Sequence, residues 1–264
     1  NGQKWAEFTY KNGDEDGVWT EWHENGQKQS EGTYKDGEGD GAWTGWHWNG
    51  QKQSEGIYKN GEPDGVWIGW FANGQKKTEE IYKNGKLDGV STQWHLNGQM
   101  QYEETYKSGQ LDGNRTGWNA NGQKEVEEAY RNGVLLKHVS TRWNANGQNE
   151  VEEAYRNGKP DGLWSVWLPN GQKWREDTYK NGVLLKHVKL RWYSNGQKWS
   201  EDTYTDNEVP YPPRNGVSTR WYENGQKEFE GTYKNDKKDG NFIEWKANGQ
   251  KMFEETYKDG DLLR

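Results

Sequence analysis

The sequence predicts an all-β fold of tandem β-hairpins, arranged as an elongated antiparallel meander in a twisted single-sheet or solenoid-like form. Three observations predict it. Asn-Gly-Gln recurs along the whole chain, with Asn at 1, 25, 49, 73, 97, 121, 146, 170, 195, 224 and 248. A Tyr follows nine residues after each of these, from Tyr10 to Tyr257. A Glu stands three residues before each Tyr, from Glu7 to Glu254. The array therefore reads as a single domain, 1–264, of about eleven 24-residue units.

Each unit holds two short strand-like runs and two turns that contain Gly. One run ends in Trp, as in Val18-Trp19-Thr20-Glu21-Trp22, and the other ends at the repeated Tyr. Asn-Gly supplies the positive φ angles of a type I′ hairpin turn. Gly recurs too often for a helix, and Thr, Trp and Tyr favour strands. If Asn25-Gly26 is a two-residue turn, paired positions sum to a constant. Trp19 then faces Gly32, Thr20 faces Glu31 and Trp22 faces Gln29. The same rule pairs Trp43 with Gly56, Arg115 with Glu128 and Lys189 with Asp202. Alternation puts Val18, Thr20, Trp22, Glu31 and Thr33 on one face, and Trp19, Gly32 and Tyr34 on the other.

Three places break the period. Val134-Leu135-Leu136-Lys137-His138 and Val183-Leu184-Leu185-Lys186-His187 each replace an Asp-Gly turn and add one residue. An added residue reverses side-chain parity unless a bulge or longer loop absorbs it. A larger insertion near 205–216, with Pro210, Pro212 and Pro213, is expected to form an exposed loop.

Composition narrows the function classes. Only 29% of residues are hydrophobic and mean hydropathy is -1.44, yet the chain carries 18 Trp and 15 Tyr. Apolar burial must come mainly from aromatic rings. A net charge of -7 argues against nucleic acid as the partner. No apolar run approaches the length of a membrane span. There is no Cys, which leaves the compartment open, with a lean towards a secreted or cell-surface chain. The chain starts inside a repeat and is read as a mature form or a fragment of something longer.

These residues resemble the MORN-repeat variant family, including proteins described as YwqK-type antitoxins. The matching pattern is Asn25-Gly26-Gln27-Lys28, Glu31-Gly32-Thr33-Tyr34-Lys35, Asp36-Gly37, Asp40-Gly41 and Trp43-Thr44-x-Trp46, and it recurs over essentially the whole chain. The resemblance implies an extended antiparallel sheet and a role in protein or membrane association. It supplies no catalytic residue to carry over.

Candidate chemistry is sparse. His23 and His47 hold equivalent positions two strand spacings apart, too far to share a metal, and read as surface residues. His138 and His187 fall in the variant segments without a nearby sequence partner. The Glu7-to-Glu254 series suggests paired carboxylates, but equivalent positions build a ladder rather than one unequal, pocketed pair. Hydrogen bonding to Thr, Lys or Trp N–H is the better reading. The acidic turns at 14–17 and 38–41 do not match a full calcium loop. No catalytic residue, cofactor or metal site is therefore assigned.

The expected function is a noncatalytic scaffold that binds protein along its length or self-assembles. The alternative is a cell-surface glycan-binding module with aromatic platforms. The candidate interaction surface comprises Trp19, Trp22, Trp43, Trp46, Trp67, Trp70 and Tyr211.

Overall fold

The computed structural model describes residues 2, 4–205 and 214–263; among these, every regular element is a β-strand. The chain forms two compact units, Asn1–Leu136 and Lys137–Arg264. In the first, Gly17–Trp22 pairs antiparallel with Lys28–Lys35, which pairs onward with Gly41–Trp46. In the second, Gly162–Trp167, Lys173–Lys180, Val183–Trp192 and Lys198–Tyr204 pair in the same consecutive order. Each unit is thus an antiparallel meander of hairpins, as the periodicity predicts.

The two turns of a repeat differ in kind. At Asn60-Gly61 both residues have positive φ, 50° and 76°, between paired Lys59 and Glu62. This is the two-residue I′ turn. At Asn25-Gly26 only the glycine is left-handed, at 82°. The Gly26 N–H donates to the His23 carbonyl at 2.9 Å, and the His23 N–H donates to the Gln27 carbonyl at 2.8 Å. The loop is therefore Glu24-Asn25-Gly26, three residues long with Gly at its left-handed position. The two-residue reading of Asn25-Gly26 is corrected here.

The register survives that correction. Trp22 pairs with Lys28 rather than with Gln29, and Glu21 then pairs with Ser30. Gln29 is the extra residue of a bulge. The longer loop shifts the pairing one way and the bulge shifts it back. Trp19–Gly32, Thr20–Glu31, Trp43–Gly56, Arg115–Glu128 and Lys189–Asp202 all pair as the arithmetic predicts.

The long variants are continuous strands, Val134–Trp143 and Val183–Trp192, rather than loops. In the second, Lys186 pairs with Thr178 and Leu184 with Tyr179. Leu185 is left over, half exposed, as the bulge that absorbs the added residue and restores parity. The expected 205–216 loop is shorter at its C-terminal end. Arg214 already pairs with Tyr204 and opens the strand Arg214–Trp221. Tyr211 and the three prolines of the insertion lie outside the described residues.

No thick aliphatic core forms. Val188 and Phe242 are the hydrophobic side chains buried among the described residues. They are joined by buried Thr20, Ser91, Ser165, Ser200 and Ser218. Burial comes instead from rings and long side chains lying across neighbouring strands.

Replacing Gly50 and Gly74 with Val forces a β-branched residue to φ near 83°, a strain of about 1–2 kcal/mol or more at each site. Hydrogen exchange should show lost protection in the two flanking strands and retained protection in distant repeats. Uniform loss over the whole chain would contradict independent hairpin units.

Candidate functional site

The predicted tryptophans fall on both faces of the first unit. Trp19, Trp43 and Trp67 share one face with the repeated tyrosines. Trp19 stacks on Trp43 at 5.1 Å between centroids. Trp43 meets Tyr58 edge-on at 5.3 Å, and Tyr58 meets Trp67 at 5.0 Å. Glycine on the intervening strand makes this possible. A Cβ on Gly32 would stand 2.2 Å from the Trp43 ring, and one on Gly56 would stand 2.2 Å from Trp67. Each indole lies flat over a backbone with no side chain there. The result is a ladder of half-buried rings.

Trp22, Trp46 and Trp70 occupy the opposite face. The ammonium groups of Lys4, Lys28 and Lys52 lie 5.1, 5.6 and 5.7 Å from their ring centroids. The same lysines pair with Glu7, Glu31 and Glu55. The repeated glutamates are thus structural partners of lysine, one of the roles the sequence suggested. Beside them runs a row of exposed aliphatic side chains, Val18, Ile57, Val66, Ile81 and Val90. The site list drawn from the sequence omitted this row. Its signal was Val directly after Asp-Gly at 18, 66 and 90, and Ile directly before the repeated Tyr at 57 and 81.

Where the ring ladder stops, charge replaces it. Arg115 lies between Glu104 and Glu128; its Nε donates to Glu104 and its Nη1 to Glu128, each at 2.8 Å. Both carboxylates are buried. The Arg115 guanidinium also covers the Tyr102 ring at 4.6 Å. The Tyr82 and Tyr106 hydroxyls donate to Glu80 and Glu104 at 3.0 Å. Burial, reinforced by the adjacent carboxylate, pushes both phenols up to about 12. Sequence arithmetic found Arg115–Glu128 and missed Glu104, which needs the pairing of the preceding hairpin.

Histidine placement departs from expectation. The Nε2–H of His23, His47 and His95 donates to the carbonyls of Trp46, Trp70 and Trp118, at 3.0, 2.9 and 2.9 Å. These are half-buried ties between successive repeats, not loose surface residues. Tyr193 and Tyr222 make the same tie with their hydroxyls, each at 2.8 Å. His187 is buried in its strand and bonds through Nδ1 to Asp177, which also accepts from Arg175. A partner for His187 was invisible in sequence because it lies across the strand, ten residues away. Among the described residues, no three or more His, Asp or Glu side chains gather as a metal site. Among the described residues, no helix is long and apolar enough to cross a membrane.

The MORN repeat variant model matches residues 15–36, 63–84, 87–108, 160–181, 214–235 and 238–259, half of the chain. This chain belongs to the MORN repeat variant family. The matched segments run from the I′ hairpin, through the Trp strand and three-residue loop or its equivalent, to the next Tyr strand. No curated protein matches the sequence. Among solved structures, a mutant Photorhabdus luminescens Tc holotoxin pore aligns over 97% of this chain at 10% identity, with a TM-score of 0.29. A TcdB2–TccC3–Cdc42 crystal structure aligns over 98% at 10% identity, with a TM-score of 0.28. This MORN repeat variant chain spans 16% of the length of either matched chain.

Two outcomes check the charged stretches of this face. Arg115→Ala removes the guanidinium that both buried carboxylates accept from. It should cost about 2–4 kcal/mol in chemical denaturation, above the range for an exposed pair. The second outcome concerns Asp177. Burial raises its pKa, but hydrogen bonds from His187 and Arg175 outweigh burial and hold it below the ordinary 3.8. A carboxyl depressed by folding stabilises above its unfolded pKa and loses that contribution as pH falls through its folded value. The melting temperature should therefore drop as pH is lowered below about 4, and the drop should be shallower in Asp177→Asn. Asp161 and Asp239, held low by the Asn181 N–H and by Lys258, leave a residual slope.

Proposed function

We propose that this chain is a noncatalytic repeat scaffold that presents one face of its first unit to a protein partner. MORN repeats are generally scaffold modules for protein or membrane interaction, and that reading is taken here to a particular surface. The observation that carries it is the exposed row Val18, Ile57, Val66, Ile81 and Val90. Ile57, Val66, Ile81 and Val90 stand on four successive long strands beside the Lys–Glu–Trp rows, with Ala42 and Thr33 between them and Val18. Apolar side chains spaced by the strand period and flanked by both signs of charge offer many equivalent weak contacts. The antitoxin-like resemblance fits such a role only in architecture, through binding without chemistry.

The glycan reading has narrower support. Trp19, Trp43 and Trp67 spend their ring faces on one another and on tyrosines, while Trp22, Trp46 and Trp70 lie under lysines. Well-exposed indoles stand instead at Trp5 and Trp48, with Trp174 and Trp199 partly open. These do not form a platform repeated every 24 residues.

Trp43→Ala should lower stability by about 2–4 kcal/mol, near the buried-ring range with part of the ring exposed. Ile57→Asp with Val66→Asp should change stability by less than about 1 kcal/mol and abolish retention of the partner in a native pull-down. A monodisperse monomer that retains no partner counts against the scaffold. Wild-type stability of Trp43→Ala and Trp22→Ala with loss of binding on a glycan array replaces it with the lectin-like reading.

A further inference from the structure

The second unit carries a basic groove that the repeat pattern does not demand. Arg191, Ser200 and Arg220 lie side by side on three adjacent strands, because Ser200 pairs with Arg191 on one side and with Arg220 on the other. Between the two arginines the middle strand presents the short side chains Ser200 and Asp202, both buried. Two arginines therefore stand over a low floor. Tyr204 and Arg214, which pair with each other, close one end, and Trp199 stands beside Arg191 with its ring centroid 5.6 Å from the guanidinium carbon. The space between them is a groove of about 380 Å³, within the ordinary size of a small-ligand site.

The charge balance of the groove is unusual for an acidic chain. Its lining holds three guanidinium groups and one carboxylate, Asp202. That carboxylate is already engaged, accepting from Arg191 at 3.0 Å and from the Ser218 hydroxyl at 2.6 Å. Arg214 lies over the Tyr233 ring at 3.9 Å, with Asp236 3.6 Å from its Nε. Arg220 rests on Phe229 at 5.4 Å and has no carboxylate partner among the described residues. Lys189, on the next row, adds an ammonium 5.4 Å from the Tyr204 centroid. In the first unit the positions equivalent to Arg191 and Arg220 are Glu21, Gly45, Gly69, Gln93 and Gly117, none of them cationic, so the arginines depart from the pattern of that unit.

We propose that the groove bounded by Arg191, Arg214 and Arg220 binds a phosphate monoester carried on a ring-bearing small molecule. Planar guanidinium forks match the oxygen pairs of a tetrahedral oxyanion, and arginine is the residue of choice for such recognition. With Lys189 and Asp236 included, Arg191, Arg214, Arg220 and Lys189 stand against two engaged carboxylates, and that excess calls for a dianion, which a phosphate monoester supplies near neutral pH. Trp199, 40% exposed at the edge of the groove, offers the apolar wall for the ring.

The test is calorimetric titration of the full chain at low salt with inorganic phosphate, phenyl phosphate, phenyl sulfate and a hexose phosphate. Saturable binding at one site per chain is expected, with phenyl phosphate or the hexose phosphate tighter than inorganic phosphate. The tighter of the two identifies the ring. Arg220→Ala should weaken that binding at least tenfold while leaving the melting temperature unchanged, since Arg220 is exposed and bears no ion pair among the described residues. Arg220→Lys, which keeps the charge and loses the fork, should fall between. Arg131→Ala, an equal charge change in the first unit, should leave binding unaltered. Absence of saturable binding by every phosphate probe overturns the proposal, as does equal weakening by Arg220→Ala and Arg131→Ala. Phenyl sulfate, with one charge fewer, binding as tightly as phenyl phosphate overturns the assignment of a dianion.

Discussion

A strand in either unit finds its main contacts on the strands just before and after it. A side chain can then be shielded from water only by residues one strand away on the same face. Aliphatic side chains stand upright from a sheet and are poorly covered in that arrangement, as the exposed Val18 and Ile57 show. A ring can lie down. Trp43 reaches across Gly32 and Trp67 reaches across Gly56, each filling the space that a Cβ would occupy. The high Trp and Tyr content, the glycine opposite tryptophan and the low aliphatic content follow from this one constraint.

The same constraint governs the polar stretches. Glu80 takes the glycine position, Ser91 follows in place of an indole, and Ser91 faces Glu104 on the next hairpin. Carboxylates then recur along the row and need cations or hydroxyls within reach. Arg115 supplies both ends of its guanidinium, and the tyrosines supply hydroxyls. In the second unit Asp177 is met by Arg175 and His187, and Asp202 by Arg191 and Ser218. Each buried acid has a named partner, as desolvation of a charge requires. Arg220 stands beside this network with no acid of its own among the described residues, which gives the groove its excess charge.

Much of the fold was legible because local spacing carries it. The alternation of faces and the Trp–Gly pairing follow from a period of two and a hairpin centre. The centre itself was placed on the wrong residues, since Asn-Gly serves both a two-residue and a three-residue loop. Distinguishing them takes the sign of φ at Asn25, which composition does not report. The bulge at Gln29 cancelled the error, so distant pairs came out right and Trp22 did not. The ties of His23 and His47 were illegible for another reason. Their acceptors are backbone carbonyls 23 residues away, and a carbonyl leaves no mark on sequence. The exposed aliphatic row and the arginine groove are repeat positions whose meaning depends on which neighbours are small.

The side-chain amide of Asn25 donates to the carbonyl of Trp48, 23 residues on. Asn195 makes the same bond to Glu223, 28 residues on. Tyr193 likewise reaches Trp221 across 28 residues, as Tyr222 reaches Trp245 across 23. The turn edge thus keeps its step while the length of chain between steps varies. Its geometry is set by what one loop offers the next, and not by the residue count along the path. The other margin carries ties of its own, as where the Gly61 N–H donates to the Gly39 carbonyl at 2.8 Å and the Gly85 N–H to the Pro63 carbonyl at 3.0 Å. Sequence added between two such ties, as between Tyr204 and Arg214, leaves the pairing of the neighbouring strands as it was.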